Sequence, residues 1–250
     1  MPSHKDRKVE TALVYGRNPV SACLRARKRR ARKLFLLQGG KNLKPLEQAA
    51  TDIPVEYVDR RTLDKLAKGG VHQGVLLHAN PLPVKDGAAW LKEDLPESAL
   101  IMVLDGVEDP HNFGAIVRSA TACGAHAVVF GQDRAAPLSP AALKSAAGAM
   151  EYIELVRAKN IIRFLGELQD SGVAVVALDA HGEHTLWDVD MTRSVALVVG
   201  SEGKGVRRMI KKLCDYLVRI PISGPITSLN ASVSAAVVLT ECLRQRQGSK

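Results

Sequence analysis

Short apolar runs alternate along this chain with amphipathic stretches that open on capping residues. TALVYG reads as a strand, and Asn18-Pro19 then opens a helix, since proline is tolerated in a first helical turn. That helix is expected to run through VSACLRARKRR. KLFLLQG is a strand, LKPLEQAAT a helix, VEYVD a strand, RTLDKLAKGG a helix closed by glycines and GVLLHAN a strand. Residues 1–80 therefore form a small αβ domain. Pro81, Pro83 and Gly87 mark a linker over residues 81–98, with a helical stretch around AAWLKEDL.

Residues 99–250 read as a second domain. ALIMVLDGV is a continuous apolar run of the kind that parallel strands buried on both faces require. HNFGAIVRSATACG follows as a helix, with Asn112 as its expected N-cap and Gly124 as its stop. AHAVVFG is a strand, Ser139-Pro140 starts a helix over AALKSAAGAM, and YIELVRA is a strand. Asn160 caps IIRFLGELQDSG, VAVVALDA is a strand, and HGEHTLWDVDM is a loop. SVALVVG, the helix GVRRMIKKLCD, the strand YLVRIPI and the helix LNASVSAAVVLTECLRQR complete the chain. Alternation of strand and helix on this scale predicts an α/β fold built on a doubly wound parallel sheet.

Charge sharpens the division. The net charge is +9, yet residues 1–98 carry 19 Lys/Arg against 11 Asp/Glu, while residues 99–250 carry 16 against 15. Seven of the nine residues over 25–33 are basic. Such a cluster on a small domain fits an electrostatic grip on nucleic acid, because lysine and arginine displace counterions condensed on phosphates. Aromatics make up only 4% of the chain, which argues against base stacking on an aromatic platform. The four cysteines lack any CxxC pairing and read as buried free thiols, and the HxxH spacing of His181 and His184 has no further ligand nearby. No metal is expected. There is no apolar run of membrane-spanning length, and the N-terminus has no apolar h-region, so a cytoplasmic protein is expected.

Several chemistries are excluded by what the loops lack. No GxGxxG follows the early strands, GSEGKG lacks the GxxxxGK[ST] arrangement of a phosphate loop, and neither GxSxG nor HExxH occurs. What remains are glycine-rich loops at the carboxyl ends of late strands, where open α/β sheets place ligands. The three glycines over residues 200–205 allow backbone to approach a planar ligand closely. ISGPITSLN brings Gly224 and Pro225 to a helix N-terminus, where exposed N–H groups can serve a ligand.

DGVEDPHNFGAIVRSA, VVGSEGKGV and IPISGPITSLNASVS resemble, in order and separation, the three motifs of the SpoU branch of the knotted SPOUT RNA methyltransferases. KSAAGAMEYIELVRAKN is similar to that family's KxSxGA element, and VYGRNPV through GVLLHANPL resembles its small L30e-like substrate-binding domain. The greatest similarity is to the subgroup that 2′-O-methylates guanosine in bacterial large-subunit ribosomal RNA. Ala231 and Ile153 stand where the family often has valine and proline, and neither exchange removes a polar group.

The resemblance implies a C-terminal α/β-knot with a deep trefoil, a homodimer, and S-adenosyl-L-methionine (SAM) as methyl donor to a ribose 2′-OH. Carried over by position, Gly200, Ile220 and Leu229 hold the cofactor through their backbones, with Val199, Ser201, Gly203, Ile222 and Gly224 shaping the pocket. Arg118, Asn112, Glu202, Ser228 and Asn230 are the catalytic positions. Arg118 either stabilises developing alkoxide, anchors the adjacent phosphate or helps activate the hydroxyl. The RNA is expected on Arg17, Arg25, Arg27, Lys28, Arg29, Arg30, Arg32 and Lys33. Two readings stand beside this one: methylation of tRNA or of another rRNA nucleotide, and a non-catalytic RNA-binding or ribosome-assembly factor.

Overall fold

The computed structural model describes residues 11–133 and 138–248. The chain divides into two compact units, Met1–Pro83 and Val84–Lys250.

The first unit holds β1 (Ala12–Tyr15), α1 (Arg17–Ala26), β2 (Ala31–Leu37), α2 (Lys44–Ala49), β3 (Val55–Val58), α3 (Arg60–Ala67) and β4 (Val75–Ala79). Its sheet has the order β1-β4-β2-β3, with β4 antiparallel to both neighbours and β2 parallel to β3. Alternation along β2 sends Leu34 and Leu36 into one core with Val20 and Leu46. Phe35 goes to the opposite face, with Leu63 of α3. α1 ends four residues earlier than its sequence pattern suggests. Arg27 takes a left-handed conformation at φ 52°, so Arg27 to Arg30 leave the helix and lead into β2. Like charges three and four apart would weaken a helix carried through that basic run.

The second unit begins within residues 81–98, where β5 (Lys85–Asp86) and α4 (Gly87–Trp90) lie. Trp90 is buried against Phe164, and β5 pairs with a strand of the large sheet, so this stretch is part of the unit's framework. The remaining elements are β6 (Leu100–Asp105), α5 (Pro110–Ala122), β7 (Ala127–Gly131), α6 (Pro140–Ser145), β8 (Glu154–Ala158), α7 (Ile161–Asp170) and β9 (Ala174–Leu178). They are followed by β10 (His184–Thr185), β11 (Val195–Gly200), α8 (Arg208–Leu213), β12 (Tyr216–Arg219) and α9 (Ala231–Gly248). The sheet order is β10-β12-β9-β11-β6-β7-β8-β5, and its pairings are parallel.

Both faces of that sheet are covered, which is why β6 and β11 are apolar almost without interruption. Trp90, Phe164, Leu165, Leu168 and Ile210 pack on one face. On the other, α5 packs with α6 and α9, and Phe113 meets Phe130 edge-on at 5.3 Å. Several predicted elements are shorter than their apolar patterns. The strand expected over YLVRIPI stops at Arg219, and the helix expected over AALKSAAGAM stops at Ser145 before a single tight turn over Ala149–Glu151. HGEHTLWDVDM, expected as loop, contributes the edge strand β10. No helix among the described residues is long and apolar enough to cross a membrane.

Candidate functional site

At the carboxyl ends of β9, β11 and β12 lies a cavity of about 330 Å³. Leu178, Val199, Val218, Ile220, Ile222 and Leu229 give it apolar walls. Gly200, Ser201, Gly203 and Gly205 line it with main chain. Among the residues expected to hold a cofactor, Gly224 alone is outside this lining. Glu202 and Ser228, expected from the sequence to be catalytic, also line the cavity.

Gly200 explains the loop's shape. A Cβ there would lie 2.0 Å from the carbonyl carbon of Gly205 and 2.2 Å from Val206 N, so only glycine lets the strand end pass its own returning loop. The loop then closes on itself: Ser201 and Gly205 form a bridge in which Gly205 N–H donates to Ser201 O at 2.9 Å.

Three residues from three distant segments meet beside this loop. Asn230 is the N-cap of α9, its Oδ1 accepting from Ser232 N at 2.8 Å, Ser232 Oγ at 2.6 Å and Val233 N at 3.4 Å. With its oxygen committed to the cap, Asn230 turns Nδ2 outward and donates to Asn112 Oδ1 at 3.2 Å. Asn112 therefore presents its own Nδ2 to Glu202 Oε1. The result is a directed chain from the helix cap to a carboxylate at the rim of the cavity.

Asn112 does not cap α5, as its sequence position suggests. Asp109 does, accepting from His111 N at 3.1 Å and Asn112 N at 3.2 Å, with Pro110 behind it in the first turn. This leaves the Asn112 side chain free for the chain just described. Ser228 likewise precedes the cap of α9 and plays no part in capping.

Arg118 is elsewhere. It follows Asn112 by six residues on α5, a rise of ~9 Å along the axis. It is exposed and makes no hydrogen bond or ion pair among the described residues. Its neighbours Ala115 and Ser119 line a second cavity of about 620 Å³ with Trp187, Ile220, Val233 and Val237. Of that lining, Trp187 is 60% exposed and Val233 47%.

Two charged residues in the first cavity escaped the sequence reading. Asp179 directly follows β9 and Lys211 lies on α8; their side chains form an ion pair in the cavity wall. Burial acts to raise the Asp179 pKa, but the Lys211 ammonium and the His181 N–H outweigh it and hold the carboxyl below its ordinary value. A polar residue closing an apolar strand at the ligand-bearing edge of a sheet was the available signal. His181 and His184 hold no metal arrangement: among the described residues no His, Cys, Asp or Glu cluster is placed for one. The four cysteines are free thiols, but only Cys23 and Cys242 are buried; Cys123 and Cys214 are half-buried.

The basic residues of the first unit divide by role. Arg17 donates from Nη2 to Lys41 O at 2.9 Å and from Nε to Gln73 O at 3.4 Å, tying two loops together. Arg29 is buried and donates to Asn80 O at 3.1 Å, while Arg32 donates to Asn80 Oδ1 at 2.8 Å. Lys33 pairs with Glu56 at 2.5 Å and lies over the Phe35 ring. Arg27 reaches Asp52 only at 3.7 Å with both side chains exposed, and Lys28 is half-buried. Arg25 and Arg30 are exposed with no side-chain partner among the described residues.

Residues 99–240 match the model of the SpoU rRNA Methylase family, and residues 13–84 match that for RNA 2′-O ribose methyltransferase substrate binding. The chain is 40% identical over 244 residues to the 23S rRNA (guanosine-2′-O-)-methyltransferase RlmB of Yersinia pestis, covering 94% of this chain and 97% of that protein. Identity to the protein of the same name from Escherichia coli K12 is 38%, over 94% and 98%. Among solved structures, the SpoU methyltransferase AviRb from Streptomyces viridochromogenes in complex with AdoMet superposes with a TM-score of 0.79 at 27% identity, covering 95% of this chain and 91% of that one.

Proposed function

Because the chain belongs to the SpoU rRNA methylase family, we propose that it is a SAM-dependent ribose 2′-O-methyltransferase of large-subunit (23S-type) ribosomal RNA, acting at a guanosine. The observation that carries this reading is the junction of Asn112, Glu202 and Asn230 at the rim of a glycine-lined cavity.

The residues of that cavity fit the cofactor. Apolar side chains from the ends of β9, β11 and β12 suit the flat faces of an adenine ring, and the main chain of residues 200–205 offers N–H and C=O groups to its edge. The close approach at Gly200 keeps side-chain bulk out of the loop's base. SAM, when bound, supplies a methyl carbon already activated by its sulfonium. The remaining work falls to the protein. It must hold a weak nucleophile, the ribose 2′-OH, in line with that carbon and assist loss of its proton. Glu202 and Asn112 orient the ribose at the rim, and the Asn230 cap fixes the amide sequence that aims them.

Arg118 completes the site from a second protomer. Its distance along α5 from Asn112, and the hollow that its neighbours Ala115 and Ser119 line with Val233 and Val237 of α9, support a homodimer built on that side of the unit. Its guanidinium stabilises negative charge developing on the 2′-oxygen. The trefoil crossing belongs to the same reading: after β12 the chain must return past β9 and β11 for α9 to pack on β11 and α5. The first unit grips the RNA, with Arg25, Arg27 and Arg30 the exposed arginines of the basic run over residues 25–33.

The test is transfer of labelled methyl from SAM to unmodified large-subunit rRNA, with tRNA alongside and the product nucleoside identified by mass spectrometry. Ribose-methylated guanosine from rRNA is the expected product. Label in tRNA, or at another nucleoside, would overturn the substrate assignment; SAM binding by neither the protein nor its RNA complex would overturn the enzyme.

A further inference from the structure

We propose that Asp105, acting through Arg207, is the positioning residue that holds the cofactor loop in its binding shape. The inference rests on the reading of that loop as the SAM site. Asp105 ends β6 and is 2% exposed. A carboxylate so buried is costly to desolvate unless both oxygens are bonded. Both are. Arg207 N donates to Oδ2 at 2.9 Å and Arg207 Nε donates to Oδ1 at 2.6 Å.

What matters is where the two ends of the loop lie. In the sheet, Asp105 is the register partner of Gly200, where the loop departs. Arg207, bonded to the same residue, is where the loop returns. Residues 201–206, with the Ser201–Gly205 bridge, are thus closed at their base by one side chain. On its other flank Asp105 leads through Gly106, at φ 78°, to the Asp109 cap and so to Asn112. One buried carboxylate is therefore the common root of the two segments that bring Glu202 and Asn112 together.

The ion pair is not a requirement of the sheet. β6 and β11 pair from Leu100 and Val195 to their ends, and the Arg207 side chain is 48% exposed. Removing the pair should release the loop and leave the strands in place.

Two variants separate the contributions. Arg207→Met keeps the aliphatic stem and the backbone N–H but removes the guanidinium; Asp105→Asn keeps the volume but sets an amide NH2 against one of two donors. For each, SAM Kd is measured by calorimetry on full-length protein, with KM and kcat for methyl transfer and the affinity for a 23S rRNA fragment. Amide exchange at Gly205 is followed without ligand. We expect SAM Kd and KM to rise about 10-fold to 10²-fold, as a displacement of about 1 Å in a positioned group predicts. RNA affinity should stay as in the parent, Gly205 exchange should accelerate, and Arg207→Lys should recover part of the SAM affinity. Parent-like SAM Kd and parent-like exchange in Arg207→Met, whatever its melting temperature, would overturn the clamp. Faster exchange in a protein whose parent form binds no SAM would leave the clamp and overturn the cofactor assignment beneath it.

Discussion

Gly200→Ala is the most demanding test of the cavity, because the structure fixes what an added methyl must displace. Its Cβ would lie 2.0 Å from the Gly205 carbonyl carbon and 2.2 Å from both Gly205 O and Val206 N. Ordinary contact begins near 3.4 Å, so backbone, and not a flexible side chain, must retreat by more than an ångström. Retreat is opposed by the Ser201–Gly205 bridge and by the Asp105–Arg207 pair at the loop's base. Overpacking of this kind costs about 1–3 kcal/mol in stability. A shift of about 1 Å in a positioned loop costs on the order of 10² in affinity or rate. Gly203→Ala is the control. Nothing lies within 4 Å of its Cβ, but its φ of 86° leaves a local strain, worth about 1–2 kcal/mol. Calorimetric titration with SAM at a temperature where both variants are folded should show Gly200→Ala weakened about 10²-fold and Gly203→Ala less than about 10-fold. Wild-type SAM affinity in Gly200→Ala, or a larger loss in Gly203→Ala, would refute the argument from the cavity's base.

Asn230→Asp retains the helix cap but puts a second acceptor against Asn112 Oδ1; it should melt like the parent while losing at least about 10-fold in kcat/KM, whereas Asn230→Ala also loses about 1 kcal/mol of cap stability. Mixed dimers of Arg118→Ala and Gly200→Ala protomers should recover activity absent from either parent dimer, and no recovery would place Arg118 in its own protomer's chemistry. Replacing Arg27 and Arg30 together by alanine should lower the slope of log RNA affinity against log salt by about 1.4, at about 0.7 per single-stranded phosphate contact. Asp179 is held below its ordinary pKa by Lys211 and the His181 N–H against the opposing effect of burial, so its stabilisation is present above about pH 4 and is lost as pH falls through the folded value. Asp179→Asn should flatten the acid limb of urea-midpoint stability, and an unchanged limb would show that the pair contributes nothing there.

The large sheet was legible because burial on both faces leaves one kind of signal. LIMVLD and VALVVG have no polar alternation to misread, and the end of each run marks where a ligand-bearing loop begins. Helix limits were less legible for a local reason. In DPHN, Pro110 assigns the cap to the residue before it, Asp109, and Asn112 is left inside the first turn. The end of α1 has no such mark, since Arg27 takes a glycine-like conformation with an ordinary side chain.

The site itself lay partly beyond local pattern. Asn230 and Asn112 are 118 residues apart and Arg207 and Asp105 102 apart, so nothing in either neighbourhood announces the partner. Motif resemblance placed Asn112, Glu202 and Asn230 in one site, but only the geometry orders them, since the cap dictates which way each amide faces. Asp105 shows the complementary case. It opens the motif run DGVEDPHNFGAIVRSA, and read alone it is one more acidic residue in an acidic loop. Its 2% exposure and its two bonds to the returning loop turn it from composition into mechanism. Arg118 is the inverse: the resemblance placed it in the site, while the chain leaves it exposed and outside the lining of that cavity. On the proposed reading of Arg118 as a catalytic residue, a second copy of the chain supplies it to the cavity and covers Trp187 and Val233 of the hollow between α5 and α9 in the same step.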